Sequence, residues 1–342
     1  MKFTIGIPVR NGEAYLRSAI LSAITQSRPA DEILVVDDAS TDSSAAIAMS
    51  DEWGGKVRYV YNEEPSGWVD AFNRIATLAN GDFVTILGCD DLLHNDFLYY
   101  VDRALVGNRS ARFCYTGQNY IDANGELMGV SPAPHSTKAK LYDGKSYAQN
   151  YLQGVFLGEH IHRFAGIAME RKLLLNDCPI RREAGLIADD DLFVRIGGVT
   201  SVVGMTEPLA SVRCHAASIT GRLESLSLQL AEDYLFQIRS SKDHAHLDAQ
   251  HIEMYQILAL RFINALLFEG LRTGRAEWVK KAIVLRVNLE NELSENVDQK
   301  MSFWTRRIWQ VLGDGGGLHV YMFLRAVPSM RALKKIIFRL KL

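Results

Sequence analysis

Asp82-Phe83-Val84-Thr85-Ile86-Leu87-Gly88-Cys89-Asp90-Asp91 joins a short apolar run to a pair of adjacent carboxylates. The run has the length and β-branched content of a buried strand, and Gly88 marks where it opens into a loop. Neighbouring carboxylates repel each other and lose hydration at an apolar strand end, so the pair calls for a cation or several donors. Hard oxygen ligands of this kind suit Mn2+ or Mg2+. Alone, the pair also fits a solvated turn before a helix capped through Asn95. Upstream the same pattern recurs. Phe3 to Val9 is strand-like and runs into Arg10-Asn11; Tyr15, Leu16, Ala19, Ile20, Ala23 and Ile24 fall at helical spacing; Glu32 to Val36 runs into Asp37-Asp38-Ala39-Ser40-Thr41-Asp42. A helix-like segment from Thr41, a strand Val57 to Tyr61 and a helix from about Gly67 to Asn80 follow. Such alternation predicts a parallel α/β sheet covered on both sides, with ligands at the carboxyl ends of its strands.

The chain has 342 residues, 48% of them hydrophobic and 23% charged, which excludes disorder, collagen and coiled coil. The net charge of −2 divides unevenly: Lys300 to Leu342 holds nine basic residues and one acidic, so residues 1 to 299 carry about −10. An acidic body argues against nucleic acid as a partner. The N-terminal run lacks the cleavage site of a signal peptide, no stretch reaches about 18 uninterrupted apolar residues, and the four cysteines form no Cys-x-x-Cys pair. A cytoplasmic location is the expectation. Residues 318–342 interleave apolar and basic side chains around Pro328, the composition of a helix lying on the inner face of the cell membrane. Packing on the catalytic domain or a dimer partner is the other reading.

Between Arg112 and Val212 the pattern is mixed. Phe164 to Met169 is strand-like, and Asp189-Asp190-Asp191 opens a helix-like run that includes Arg195. Beyond about Ser218 the periodicity is helical, with Met254, Ile257, Leu258, Phe262, Ala265 and Leu266 on one face, and Gly313 to Gly317 form a break. The expected organisation is a catalytic domain over 1–218, a helical extension over 219–312 and a basic amphipathic tail over 313–342.

The blocks Ile7-Pro8-Val9-Arg10-Asn11, Ile33 to Asp42, Gly67 with Ala71-Phe72-Asn73, Ala79 to Phe83, Asp90-Asp91, Asp189 followed by Arg195, and Arg213-Cys214-His215 with Ser218 resemble, in order and spacing, family 2 glycosyltransferases of the GT-A fold. The resemblance implies a Rossmann-like, mostly parallel sheet with flanking helices, here followed by a C-terminal helical region. It also implies an inverting, metal-dependent transfer of one sugar from a nucleotide-diphosphate donor, with UDP favoured, to a glycan or lipid-linked acceptor in cell-surface polysaccharide synthesis. On that resemblance Asp91 is the direct metal ligand, Asp90 meets the sugar or ribose, and Gly88 replaces the first Asp of the usual Asp-x-Asp. Asp38 accepts a hydrogen bond from the nucleotide base, Pro8, Val9, Arg10 and Asn11 line the base pocket, and Gly67 and Asn73 complete the donor site. The other reading makes Asp37, Asp38 and Asp42 caps of the following helix, which suits Asp37 and Asp42 better than Asp38.

The same resemblance, with its acidic residue six positions before an Arg, implies Asp189 as the general base ahead of Arg195, with Asp190 or Asp191 as substitutes should the helix begin one residue later. Arg213 and His215 approach the diphosphate or the metal. His160 and His162 lack further ligands at zinc spacing and are expected to border the acceptor site. Trp68 reads as a stacking face or as simple packing. Neither Gly-x-Gly-x-x-Gly nor a P-loop is present, and no Gln-x-x-Arg-Trp follows the base, which favours single additions. A catalytically silent scaffold of the same fold is the competing reading.

Overall fold

The computed structural model describes residues 1–131, 134–157, 159, 162–216, 226–241, 244–293 and 297. The expected tail at 313–342, together with His160 and Ser218, lies outside the described residues. The first half alternates as expected: β1 (Phe3–Val9), α1 (Leu16–Ile24), β2 (Glu32–Asp37), α2 (Ser44–Ala48), β3 (Val57–Tyr61), α3 (Trp68–Leu78) and β4 (Phe83–Ile86). These strands pair in parallel in the order β3-β2-β1-β4. All seven residues of β1 are buried, as a parallel strand covered on both faces requires. Leu16, Ala19, Ile20 and Ala23 of α1, and Val69, Ala71, Ile75 and Ala76 of α3, are the buried stripes that cover the sheet. A Cβ on Gly6 would stand 2.2 Å from the Ile75 side chain, so α3 packs directly on the β1 backbone. Pro8 fits an inner strand because β4 pairs with β1 only as far as Gly6, leaving no ladder partner for a donor at residue 8.

The second half is β5 (Leu92–Leu93), α4 (Phe97–Gly107), β6 (Ala111–Ile121), β7 (Leu127–Val130), β8 (Lys140–Tyr142), α5 (Gly144–Leu157), β9 (Ile167–Glu170), α6 (Ala188–Gly197) and β10 (Ser201–Arg213). The sheet continues β4-β9-β6-β10-β5. Here the parallel expectation is modified: β6 and β10 are parallel, but β9 enters antiparallel between β4 and β6 and joins the halves. The strand-like stretch from Phe164 begins as a short 3-10 turn, Phe164–Gly166, and becomes strand at Ile167.

Met1–Leu223 with Asp243–His251 form one compact unit, and Glu224–Lys242 with Ile252–Leu342 form a second. Residues 243–251 thus belong to the first unit, where His246 bonds the Val194 carbonyl at 3.0 Å. In the helical region lie α7 (Leu226–Ser241), α8 (Ala249–Thr273) and α9 (Ala276–Glu290). Tyr234 stacks on Phe262 with centroids 5.7 Å apart, and Lys281 pairs with Glu232 at 2.6 Å. By length and composition α8 could cross a membrane; half of its most apolar window is nevertheless buried, as in a core helix.

Candidate active site

The loops that leave β1 and β2 are latched to each other. Asn11 adopts φ +54°, a region Asn tolerates. Its amide oxygen accepts from Thr41 N at 2.8 Å, while its own N–H donates to Ser40 Oγ at 2.9 Å. Glu13 N donates to Asp42, and Ser43 N returns a bond to Glu13. Asp37 is fully buried between Ser40 N and the Tyr59 hydroxyl. Pro8 and Val9 are buried, whereas Arg10 and Asn11 are exposed.

Asp38 is 3% exposed. Its Oδ1 accepts from Asn62 Nδ2, Ser66 N and Ser66 Oγ, and its Oδ2 accepts from Gly67 N at 2.9 Å. Burial by itself would raise its pKa, but the donors of Ser66, Asn62 and Gly67 outweigh it and hold the carboxyl below its ordinary value. Asp38 therefore organises the entry to α3, where Gly67 sits at φ +90° with open space above its Cα. Oδ2 retains a lone pair for a ligand donor. Asn73 faces elsewhere: its Nδ2 donates to the Ile180 carbonyl at 2.9 Å and its Oδ1 accepts from Ile180 N at 3.1 Å. It thereby ties α3 to the segment before α6. Trp68 packs edge-on against Phe72, which meets Phe164 in the same way.

Beyond β4, Asp90 Oδ1 and Asp91 Oδ2 converge over Gly88, 2.9 and 2.8 Å from where a Cβ would stand. The missing first Asp of the motif is thus what lets both carboxylates fold into one cradle. Burial, and next the charge of Asp90, push Asp91 up to about 7 against the Arg213 backbone donor. Arg213 N donates to Asp91 Oδ1 at 2.9 Å, and His215 Nε2 lies 2.9 Å from Asp90 Oδ2. The Arg213 guanidinium donates to the carbonyls of Asp90, Asp122 and Ala123 and lies 4.6 Å over the Tyr15 ring, itself 5.1 Å from the His215 ring. Tyr15 was not among the expected site residues; as part of an amphipathic pattern it read as helix packing. Among the described residues no three His, Cys, Asp or Glu side chains form a complete metal cage. Two convergent hard carboxylates do fit a divalent cation whose shell is completed by diphosphate oxygens and water.

The three carboxylates that open α6 face different surroundings. Asp191 is fully buried between Arg181 and Arg195, the latter at 2.9 Å, and so is a structural counter-ion. Asp190 is buried with its Oδ1 2.7 Å from the Tyr151 hydroxyl; burial raises its pKa, against Arg163 and Tyr151. Asp189 has the most exposed side chain of the three, at 17%, and pairs with Arg163 at 3.1 Å. His162, expected to border the acceptor site, is instead fully buried, 2.8 Å from the Tyr147 hydroxyl and enclosed by Tyr151 and Phe193.

Residues 4–170 match the family model described as Glycosyl transferase family 2. An uncharacterized glycosyltransferase of Rickettsia typhi is 34% identical over 141 residues, 40% of this chain and 43% of that protein. TuaG of Bacillus subtilis, named as a teichuronic acid biosynthesis glycosyltransferase, is 31% identical over 137 residues, 40% of this chain and 53% of that protein. These alignments span about half the length of the relatives or less. Residues 1–349 of S. aureus TarS, solved with UDP-GlcNAc, superpose with a TM-score of 0.67 at 16% identity, over 87% of this chain and 83% of that one. Motif order, sheet topology and these matches agree: residues 4–170 carry a glycosyltransferase family 2 domain, and the chain has the GT-A fold.

Proposed function

We propose that the protein is an inverting, metal-dependent glycosyltransferase that moves one sugar from a nucleotide-diphosphate donor to a hydroxyl of a glycan or lipid-linked acceptor. The observation that carries this reading is the convergence of Asp90 and Asp91 over Gly88 at the carboxyl end of β4, closed by Arg213 and His215. Asp91 and Asp90, with His215 beside them, would hold Mn2+ or Mg2+, which when bound offsets the charge of the leaving diphosphate. Asp38 and the loop around Arg10 would receive the nucleotide base, with a UDP-sugar favoured. Asp189 takes the proton from the acceptor hydroxyl; the oxygen attacks the anomeric carbon; the bond from that carbon to the phosphate oxygen breaks, and its electron pair leaves with the nucleoside diphosphate. The Arg213 guanidinium, which donates to the carbonyls of Asp90 and Asp122, would place a positive charge beside that leaving group.

The names of TuaG and TarS's UDP-GlcNAc complex favour a UDP-sugar and a place in cell-surface polysaccharide synthesis. Attachment to the inner membrane face through 318–342 belongs to the same proposal; equal pelleting with anionic liposomes by the full chain and a chain ending at Gly313 would remove it. The test of function is a panel of nucleotide sugars with and without Mn2+, read by thermal shift and diphosphate release. Binding and turnover of one donor is expected, and no binding in either condition overturns the reading.

A further inference from the structure

Arg163 lies outside every motif that carries the family resemblance, yet its Nη1 is 3.1 Å from Asp189 Oδ2 and 3.8 Å from Asp190 Oδ1. We propose that Arg163 is the positioning residue of the general base, fixing the rotamer of Asp189 and keeping its carboxylate ionised for proton abstraction. This rests on the reading of Asp189 as the base. The remaining geometry supports it. Asp190 N donates to Asp189 Oδ1 at 2.9 Å and Arg163 to Oδ2, so both Asp189 oxygens accept from the protein and the carboxylate plane is set. Arg163 is itself anchored between two packed neighbours. His162 is buried in the aromatic cage on one side, and on the other Phe164 touches Phe72 and Phe193, with centroids 4.9 and 5.3 Å away.

One guanidinium faces two carboxylates. Asp190, buried and bonded to the Tyr151 hydroxyl, holds a proton more readily than an ordinary carboxyl, so the Arg163 charge is directed to Asp189. The other charged or titratable groups here are Tyr151 from α5, Tyr120 from β6 beside Arg163, and Asp191 on α6, which is neutralised by Arg181 and Arg195. The Asp189 charge, the largest opposing influence, in turn keeps Arg163 protonated against burial.

The test is the pH profile of kcat/KM for diphosphate release from the donor that the panel identifies, in wild type, Arg163→Met and Arg163→Lys. A cation within about 4–6 Å lowers a carboxylate pKa by about 1–3 units. Arg163→Met should therefore lose about tenfold or more at pH 6 and much less at pH 8.5, with the acidic limb displaced upward and donor thermal stabilisation unchanged. Arg163→Lys should return the limb toward wild type. If Arg163→Met fails to fold, Arg163→Gln, which keeps a donor and drops the charge, must show the same displaced limb. An equal loss at every pH, or an unmoved profile, overturns the proposal. Asp189→Asn separates the two readings. If it retains turnover, the base assignment fails; if it is inactive while the Arg163 profiles stay unmoved, only the positioning role fails. A panel without any turnover overturns both.

Discussion

Asp38 illustrates how one carboxylate serves two ends. Its four donors make it a structural anchor of the β3–α3 connection, and its Oδ2 still offers an acceptor at the mouth of the expected base pocket. Asp38→Ala leaves the buried donors of Asn62 and Ser66 unpaired and should lower stability by about 1–3 kcal/mol at pH 7, measured by urea denaturation. The folded-state pKa of Asp38 is depressed, so this stabilisation is complete above the unfolded value near 3.8 and is lost as pH falls through the folded value. The gap between wild type and variant should accordingly close below about pH 3.8. Along Asp189-Asp190-Asp191 a second contrast applies. Asp191→Asn uncouples a buried carboxylate from two arginines and should destabilise by about 3–5 kcal/mol. Asp189→Asn, at the more exposed position, should leave the melting temperature nearly unchanged, and equal losses in both variants would contradict the separation of roles.

The elements with a strong local signal were legible in the sequence. Val57–Tyr61 matches its apolar run residue for residue, and the helix expected from Gly67 begins at Trp68 with Gly67 as its N-cap. The strand into Asp90-Asp91, expected from Asp82 to Leu87, spans Phe83–Ile86 and stops two residues before Gly88. The antiparallel entry of β9 was not legible, because it depends on pairing Phe83 with Glu170 and Cys114 with Ala168 across long sequence distances. The same holds for Arg163 with Asp189 and for Asn73 with Ile180, which no local spacing marks. Gly88 is where motif and packing meet. A methyl at residue 88 would press on both carboxylates, so Gly88→Ala should raise the Mn2+ concentration needed for half-maximal turnover at least several-fold while changing the melting temperature little. An unchanged metal requirement would show that the cradle does not matter.

At the scale of the molecule, four parallel strands deliver the β1, β2 and β4 loops to one edge, and β10, which ends at Arg213, brings the second half to the Asp90-Asp91 loop. A ligand that bridges these loops is therefore expected to stabilise the unit that carries them. Donor and Mn2+ together at about 100 times the dissociation constant should stabilise the full chain by about 2.7 kcal/mol, visible as a higher melting temperature. The most direct measurement of the central claim is nucleoside-diphosphate release from the panel of nucleotide sugars with Mn2+, by wild type and by Asp189→Asn, alongside donor binding to each. The predicted result is release by wild type, a loss of about a hundredfold or more in Asp189→Asn, and equal donor binding by both. Wild-type release by Asp189→Asn, or donor binding by neither protein, would contradict it.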